Sequence, residues 1–218
     1  MLAKLIIGMN LRSVITWLLH GVLIALLAIA LWNGEYLRAV VAAIAIILAF
    51  LPAIAQRNYR ITVPWGFEVL LIIALSLHIS GVIFRWYELF PWWDTMTHLI
   101  GSATVAILAF MGVYSLYVAG KIHVSIKMVG LFIFFTAMAV GSLWEVLEFG
   151  LDATFDTKSQ VNNVDTNTDL INDGIAGLLV AIAGMEYLKR APEARFEKRA
   201  KRLVKQLKKL WHNERRNP

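Results

Sequence analysis

Six long apolar runs constrain this chain more than any other feature of its sequence. A membrane-spanning helix needs about 20 mostly apolar residues, and the runs that qualify are approximately 13–32, 37–55, 64–84, 94–118, 126–149 and 169–188. The first run is too long for a signal peptide, so we expect it to be retained as a helix. The chain is 59% hydrophobic and 17% charged, whereas a soluble domain is about one quarter charged. We therefore predict an all-α, polytopic bundle of six transmembrane helices, forming one membrane domain over residues 1–190.

The distribution of lysine and arginine predicts the orientation of the spans. Cytoplasmic loops of membrane proteins carry an excess of these two residues. With both termini in the cytoplasm, all but three of the 21 basic residues lie inside, the exceptions being Arg38, Arg85 and Lys158. We therefore expect a multi-pass protein of the cell inner membrane with both termini cytoplasmic.

Acidic residues follow the opposite distribution. In this orientation most of the 15 acidic residues fall in the outer half, and only three basic residues accompany them. Such a surface concentrates cations near its mouth. The outer acidic residues are Glu35, Glu88, Asp94, Glu145, Glu148, Asp152, Asp156, Asp165, Asp169 and Asp173.

Seven ionisable side chains are predicted to lie at one depth, near the outer ends of the last four spans. Helical spacing of three or four residues puts neighbouring members of the set on a common helix face. Ionisable groups inside a membrane are costly, and they normally face the bundle interior and mark a site. The seven residues are His78, Asp94, His98, Glu145, Glu148, Asp169 and Asp173.

This set of side chains predicts a metal site. Carboxylates held close together repel one another, and a divalent cation removes that cost. Mainly oxygen ligands with one or two nitrogens favour Mg, Mn, Ca or Fe, with Zn as an alternative, over copper. We expect Asp94 or Asp169 to complete the coordination or to act as the catalytic general base. The expected metal ligands are His98, Glu145, Glu148, Asp173 and His78.

Structural roles remain open for some of these residues. Asp94 and Asp169 are also suited to cap the fourth and sixth spans, and an isolated histidine such as His78 is more often a satisfied core residue. Glu145, Glu148 and Asp173 are harder to explain in this way, because an unpaired carboxylate within a span costs several kcal/mol.

The C-terminal segment, residues 191–218, is predicted to be a basic amphipathic helix on the cytoplasmic side. Apolar residues recur every three or four positions opposite a run of lysine and arginine. This pattern suits the anionic inner leaflet, so membrane lipids are the expected partners. Charge alone would also suit nucleic acid, but the apolar stripe and the adjacent span argue against that partner. Packing against a second copy or a larger membrane complex is the alternative.

Three motifs of the last four spans resemble those of the YjdF-type bacterial inner-membrane proteins and, more loosely, the VanZ-like group. The motifs are Trp93-Asp94-x-x-x-His98, Trp144-Glu145-x-x-Glu148 and Asp165-Thr166-x-x-Asp169-x-x-x-Asp173. The resemblance extends over about residues 64–188. It implies a multi-span inner-membrane protein with a shared polar site, and it implies no particular reaction.

Three functions are consistent with the sequence. A metal-dependent enzyme would hydrolyse lipid-linked phosphates or esters, since the site lies at the depth of the headgroups. A cation-binding or cation-transporting protein would use the same carboxylates. An accessory structural subunit would use them as hydrogen-bonded links between helices. The chain has no G-x-S-x-G or H-E-x-x-H motif, and these motifs would have indicated particular hydrolase families.

Overall fold

The fold is α-helical throughout the part of the chain that the structure describes. The computed structural model describes residues 10–59, 62–160 and 162–190, and the predicted basic helix of residues 191–218 lies outside them. The helices are α1 (Leu11–Trp32), α2 (Tyr36–Tyr59), α3 (Trp65–Ile83), α4 (Trp86–Leu89), α5 (Trp93–Val118), α6 (Ile126–Phe155) and α7 (Asn163–Arg190).

Six of these helices, all except the single turn α4, are long and apolar enough to cross a membrane. The predicted all-α class and the predicted number of spans are therefore confirmed. Each of the six begins and ends within a few residues of a predicted run, except at one end of α6 and one end of α7.

Helices α6 and α7 extend beyond the predicted apolar runs where they meet. Helix α6 continues to Phe155, and α7 already begins at Asn163. The start of α7 is fixed by Asn162, whose side-chain oxygen accepts hydrogen bonds from the backbone N–H of Val164 at 2.7 Å and of Asp165 at 3.2 Å. Hydropathy detects only the apolar part of such a helix, so it placed the start of the span too late. Asp169 consequently lies inside α7, and Asn162 supplies the cap instead.

The long helices form two groups of three. Helices α1, α2 and α3 pack around one apolar core, and α5, α6 and α7 pack around a second. Contact between α3 and α5 joins the two groups. Small side chains allow membrane helices to approach closely. The first core accordingly buries the alanines Ala30, Ala39, Ala42, Ala45 and Ala49.

Close approach is most pronounced between α6 and α7. A Cβ atom at Gly177 would lie 2.8 Å from the Cβ of Ala137 on the facing helix, a separation that packed carbon atoms do not tolerate. This contact holds α7 firmly against α6 just below the polar end of both helices.

The connection between α3 and α5 folds back over the end of α3. Arg85 adopts a left-handed conformation with φ of 60° and reverses the chain, and its guanidinium pairs with Glu88 at 2.5 Å. The aromatic rings that follow pack on one another, with the ring centroids of Trp86 and Trp93 4.6 Å apart. This turn brings Tyr87 to the end of the bundle where the predicted site lies.

Candidate metal centre

Five of the seven predicted site residues meet at one end of the second helix group. Asp94 and His98 lie one turn apart on α5, Glu145 projects from α6, and α7 contributes the other two residues, also one turn apart. His98 lies within 4.0 Å of a carboxylate oxygen from each of the other four. We call this group the carboxylate–imidazole cluster: Asp94, His98, Glu145, Asp169 and Asp173.

Three carboxylate oxygens from three different helices surround Nε2 of His98. The Oδ1 atom of Asp94 lies 3.6 Å away, Oε1 of Glu145 3.8 Å and Oδ1 of Asp169 4.0 Å. One ligand atom from each of Asp94, His98 and Asp169 lies within 4.8 Å of the other two. A tetrahedral ion with bonds of about 2.1 Å holds its ligands about 3.4 Å apart. Small inward movements would therefore bring this set to coordination distance.

The other ring nitrogen of His98 contacts Asp173. Oδ1 of Asp173 lies 3.2 Å from Nδ1 and also accepts a hydrogen bond from the Ser102 hydroxyl. A carboxylate accepts hydrogen bonds, so Nδ1 carries a hydrogen, and Nε2 is the ring atom that faces the three oxygens. Histidines that bind metals are commonly oriented by a carboxylate in this manner.

Glu145 has one oxygen without a hydrogen-bond donor in the described part of the chain. The residue is only 5% exposed. Its Oε2 accepts a hydrogen bond from the side-chain amide of Gln160 at 3.2 Å, but its buried Oε1, the atom beside His98, has no partner. An unpaired buried carboxylate oxygen costs several kcal/mol unless a proton or a cation satisfies it.

Asp173 is fully buried, and its second oxygen faces the backbone of α6. A Cβ atom at Gly141 would overlap this carboxylate, so only glycine at position 141 lets α6 approach Asp173 so closely. Oδ2 of Asp173 likewise has no partner in the described residues. Asp173 thus contacts His98 at Nδ1, whereas the other three oxygens face Nε2.

A loop between α6 and α7 covers the outer edge of the cluster. Asp152 holds this loop, since it accepts hydrogen bonds from the backbone N–H of Ser159 at 2.7 Å and of Gln160 at 2.9 Å. The Gln160 amide also donates to the backbone oxygen of Glu145 at 3.0 Å. Sequence reasoning missed Gln160, because no spacing rule links a loop amide to a carboxylate 15 residues earlier. It also gave no polar role to Ser102, although its position four residues after His98 indicates a shared helix face.

His78 lies next to the cluster in a separate hydrogen-bonded chain. Its Nδ1 is 2.7 Å from the Tyr87 hydroxyl, which donates to Thr97 at 3.3 Å. Thr97 in turn donates to the backbone oxygen of Asp94 at 2.9 Å. Burial raises the pKa of the Tyr87 phenol, so this group stays protonated and acts as a donor. The structure thus gives His78 a partner outside the group of oxygens that surrounds His98.

Glu148 also lies beside the cluster rather than within it. Its Oε1 accepts a hydrogen bond from the indole nitrogen of Trp144 at 3.0 Å, and the Trp144 ring packs edge-on against His78 at 4.9 Å. Its carboxylate is half-buried. Glu148 is therefore a second carboxylate on α6 that lies outside the group around His98.

These features define a class of protein: a multi-pass membrane protein with a buried carboxylate–imidazole cluster at one end of its helix bundle. The chain belongs to the family described as "Predicted membrane protein (DUF2238)", whose sequence model matches residues 15–190. This match confirms the resemblance to the YjdF-type proteins. No curated protein and no solved structure matches the chain significantly.

Proposed function

We propose that this membrane protein binds a divalent cation in the carboxylate–imidazole cluster and uses it to hydrolyse a phosphate or ester in lipid headgroups. The observation that carries the proposal is the surroundings of His98 Nε2. This nitrogen faces oxygens of three carboxylates at 3.6–4.0 Å, and the oxygen from Glu145 has no donor in the described residues. A cation between these atoms removes both their repulsion and the cost of the unpaired oxygen.

We assign the ligand roles from these distances. Asp94 and Asp169, expected from the sequence to be catalytic, are better suited to bind the ion directly, together with His98 and Glu145. Asp173 contacts the other nitrogen of His98 and would hold the imidazole in place. A ligand set of one nitrogen and three carboxylates favours Mn, Fe or Zn over Mg, because Mg prefers sites made of oxygen ligands alone.

The chemistry follows from the position of the residues. A bound divalent ion would lower the pKa of coordinated water and so supply hydroxide at neutral pH. Glu148 is the carboxylate outside the ligand group, and we assign it the role of proton acceptor. The cluster lies at the end of the membrane helices, which suits a headgroup better than an acyl chain.

Cation transport receives less support from the structure. Below Asp173 the interior of the second helix group is apolar, with buried side chains that include Ala106, Ile133, Ala137 and Ala181. Among the described residues, none of the buried core side chains in this region is ionisable. An ion held in the cluster therefore meets no further buried ionisable side chain in the described part of this core.

The test is metal content of the purified full-length protein, measured by elemental analysis after dialysis against Mn²⁺ or Zn²⁺. We expect one ion per chain for the wild type and a loss of that ion for Asp169→Asn. The control is Glu88→Gln, which removes the same charge from an exposed position in the short helix α4. Stoichiometric metal in Asp169→Asn, or none in the wild type, would overturn the proposal and favour a role as a hydrogen-bonded structural link. If the protein binds the ion but does not hydrolyse lipid headgroups, only the enzymatic part of the proposal fails.

A further inference from the structure

A second polar site lies at the opposite end of the bundle, within the first helix group. A cavity of about 320 Å³ opens between the start of α1, the end of α2 and the start of α3. Its lining combines one basic, one acidic and one imidazole side chain with aromatic walls. The residues that carry the argument are Arg12, Trp17, His20, Trp65 and Glu68.

His20 supplies the clearest indication of a ligand. It is 4% exposed, and its Nδ1 lies 2.8 Å from the backbone oxygen of Thr16. A carbonyl oxygen only accepts hydrogen bonds, so Nδ1 carries the hydrogen, which leaves Nε2 of this tautomer as an acceptor. This buried Nε2 has no partner within the described residues. The cavity wall therefore presents an acceptor that requires an N–H or O–H donor.

Charges of both signs line the same cavity. Arg12 stands over the Trp65 ring at 5.6 Å, and Glu68 lies half-buried one turn into α3. Across the described residues no ion pair involves either side chain. A purely anionic ligand would be opposed by Glu68, and a purely cationic one by Arg12. A zwitterion with separated charges complements both.

The aromatic walls favour an ammonium group as the positive end. Trp17 and Phe50 pack around His20, with ring centroids 6.1 Å and 4.2 Å from the imidazole, and aromatic faces attract ammonium ions. His20 lies eight residues beyond Arg12, or about 12 Å along the helix. The His20 ring lies against the Thr16 carbonyl one turn earlier, and both His20 and Arg12 line the same cavity of about 320 Å³.

We propose that this cavity binds the headgroup of a phospholipid that carries a primary ammonium group. The ammonium donates a hydrogen bond to Nε2 of His20 and faces Glu68, while the phosphodiester lies against Arg12. The lipid belongs to the leaflet on the side where α1 begins, since the cavity opens there. A quaternary ammonium headgroup fits the charges but has no hydrogen to donate, so the site distinguishes ethanolamine from choline.

The test uses the full-length protein in detergent, titrated with dihexanoyl phosphatidylethanolamine or dihexanoyl phosphatidylcholine, with bound lipid counted by native mass spectrometry. The wild type should prefer the ethanolamine lipid by about tenfold, the equivalent of one buried hydrogen bond. His20→Phe keeps a ring in place and should abolish this preference, whereas His123→Phe, at an exposed position, should preserve it. Arg12→Gln should weaken the binding of both lipids, and Lys121→Gln is its control.

Because His20 is buried, its substitution also changes the packing of the core. Glu68→Gln, at a half-buried position in the cavity lining, gives an independent measurement. It should reduce the ethanolamine preference without disturbing the core. Equal affinity of the wild type for the two lipids would overturn the proposal. Equal binding of inorganic phosphate and the ethanolamine lipid would also overturn it. If free phosphoethanolamine binds as tightly as the lipid, the ligand is a soluble zwitterion and the lipid assignment fails.

Discussion

Replacing Asp173 by asparagine separates the orienting role that we propose for this residue from a packing role. In the wild type its Oδ1 accepts hydrogen bonds from His98 Nδ1, at 3.2 Å, and from Ser102. Asparagine retains an oxygen for both donors and loses only the negative charge. Loss of a carboxylate behind a metal-bound histidine costs about 10–100-fold in metal affinity. Because 3.2 Å is at the long end for such a bond, we expect about tenfold, equivalent to about 1.4 kcal/mol.

The same substitution should not destabilise the metal-free protein. Asp173 is 0% exposed, and its Oδ2 has no partner in the described residues. A neutral amide is less costly to bury than a carboxylate with one unpaired oxygen. We therefore expect Asp173→Asn to unfold at the same or a higher temperature without metal, but to gain less stability than the wild type when metal is added.

Calorimetric titration with Mn²⁺ and thermal unfolding with and without the ion measure these two effects. Glu186→Gln is the matched control, since it removes one charge from the other end of α7, where Glu186 pairs with Lys189 and Arg190. Unchanged metal affinity in Asp173→Asn, together with a lower unfolding temperature, would refute the reasoning and make Asp173 a packing residue.

Three further substitutions test the site and its surroundings. Glu145→Gln should lower metal affinity at least about tenfold and leave the metal-free protein at least as stable, as measured by the same titration and unfolding. Gly141→Ala should destabilise the protein by about 1–3 kcal/mol, because the added Cβ would overlap the Asp173 carboxylate. Gly150→Ala on the same helix is the control, since its Cβ would meet open space. Thermal unfolding should show a loss of stability for the first variant and none for the second. Burial raises the pKa of Tyr87, so above about pH 10 the unfolded chain releases a phenol proton that the folded protein retains. Stability should therefore fall as pH rises, and Tyr87→Phe should flatten this slope in unfolding measured from about pH 9 to about pH 12.

The sequence was sufficient to predict the helices and most of the cluster, for a simple physical reason. A span is a long local pattern, and residues four apart on a helix must share a face. Asp94 with His98, and Asp169 with Asp173, could therefore be paired from their spacing alone. Their common depth followed from counting residues inward from the span ends.

The sequence could not predict which neighbours each side chain would contact. The rotation of α6 about its axis places Glu145 towards His98 and leaves Glu148 with Trp144, and helical periodicity alone does not fix that rotation. His78 is paired with Tyr87 through the reversal at Arg85, a turn that depends on one left-handed residue. These contacts depend on tertiary packing, which no local pattern encodes.

The packing around the cluster bears on how it would exchange the ion that we propose it binds. The acidic side chains and the loop held by Asp152 lie at one end of α6 and α7, while the core beneath Asp173 is apolar and closely packed against α6. Moving a charge through such a core costs far more than releasing it at the nearer surface. Ion exchange should therefore occur from the side of the Asp152 loop alone, at a rate set by how easily Gln160 leaves Glu145. A retained ion reached from one side suits catalysis at that surface, and transport would instead require a polar path past Gly177, where α6 and α7 leave no space for a side chain.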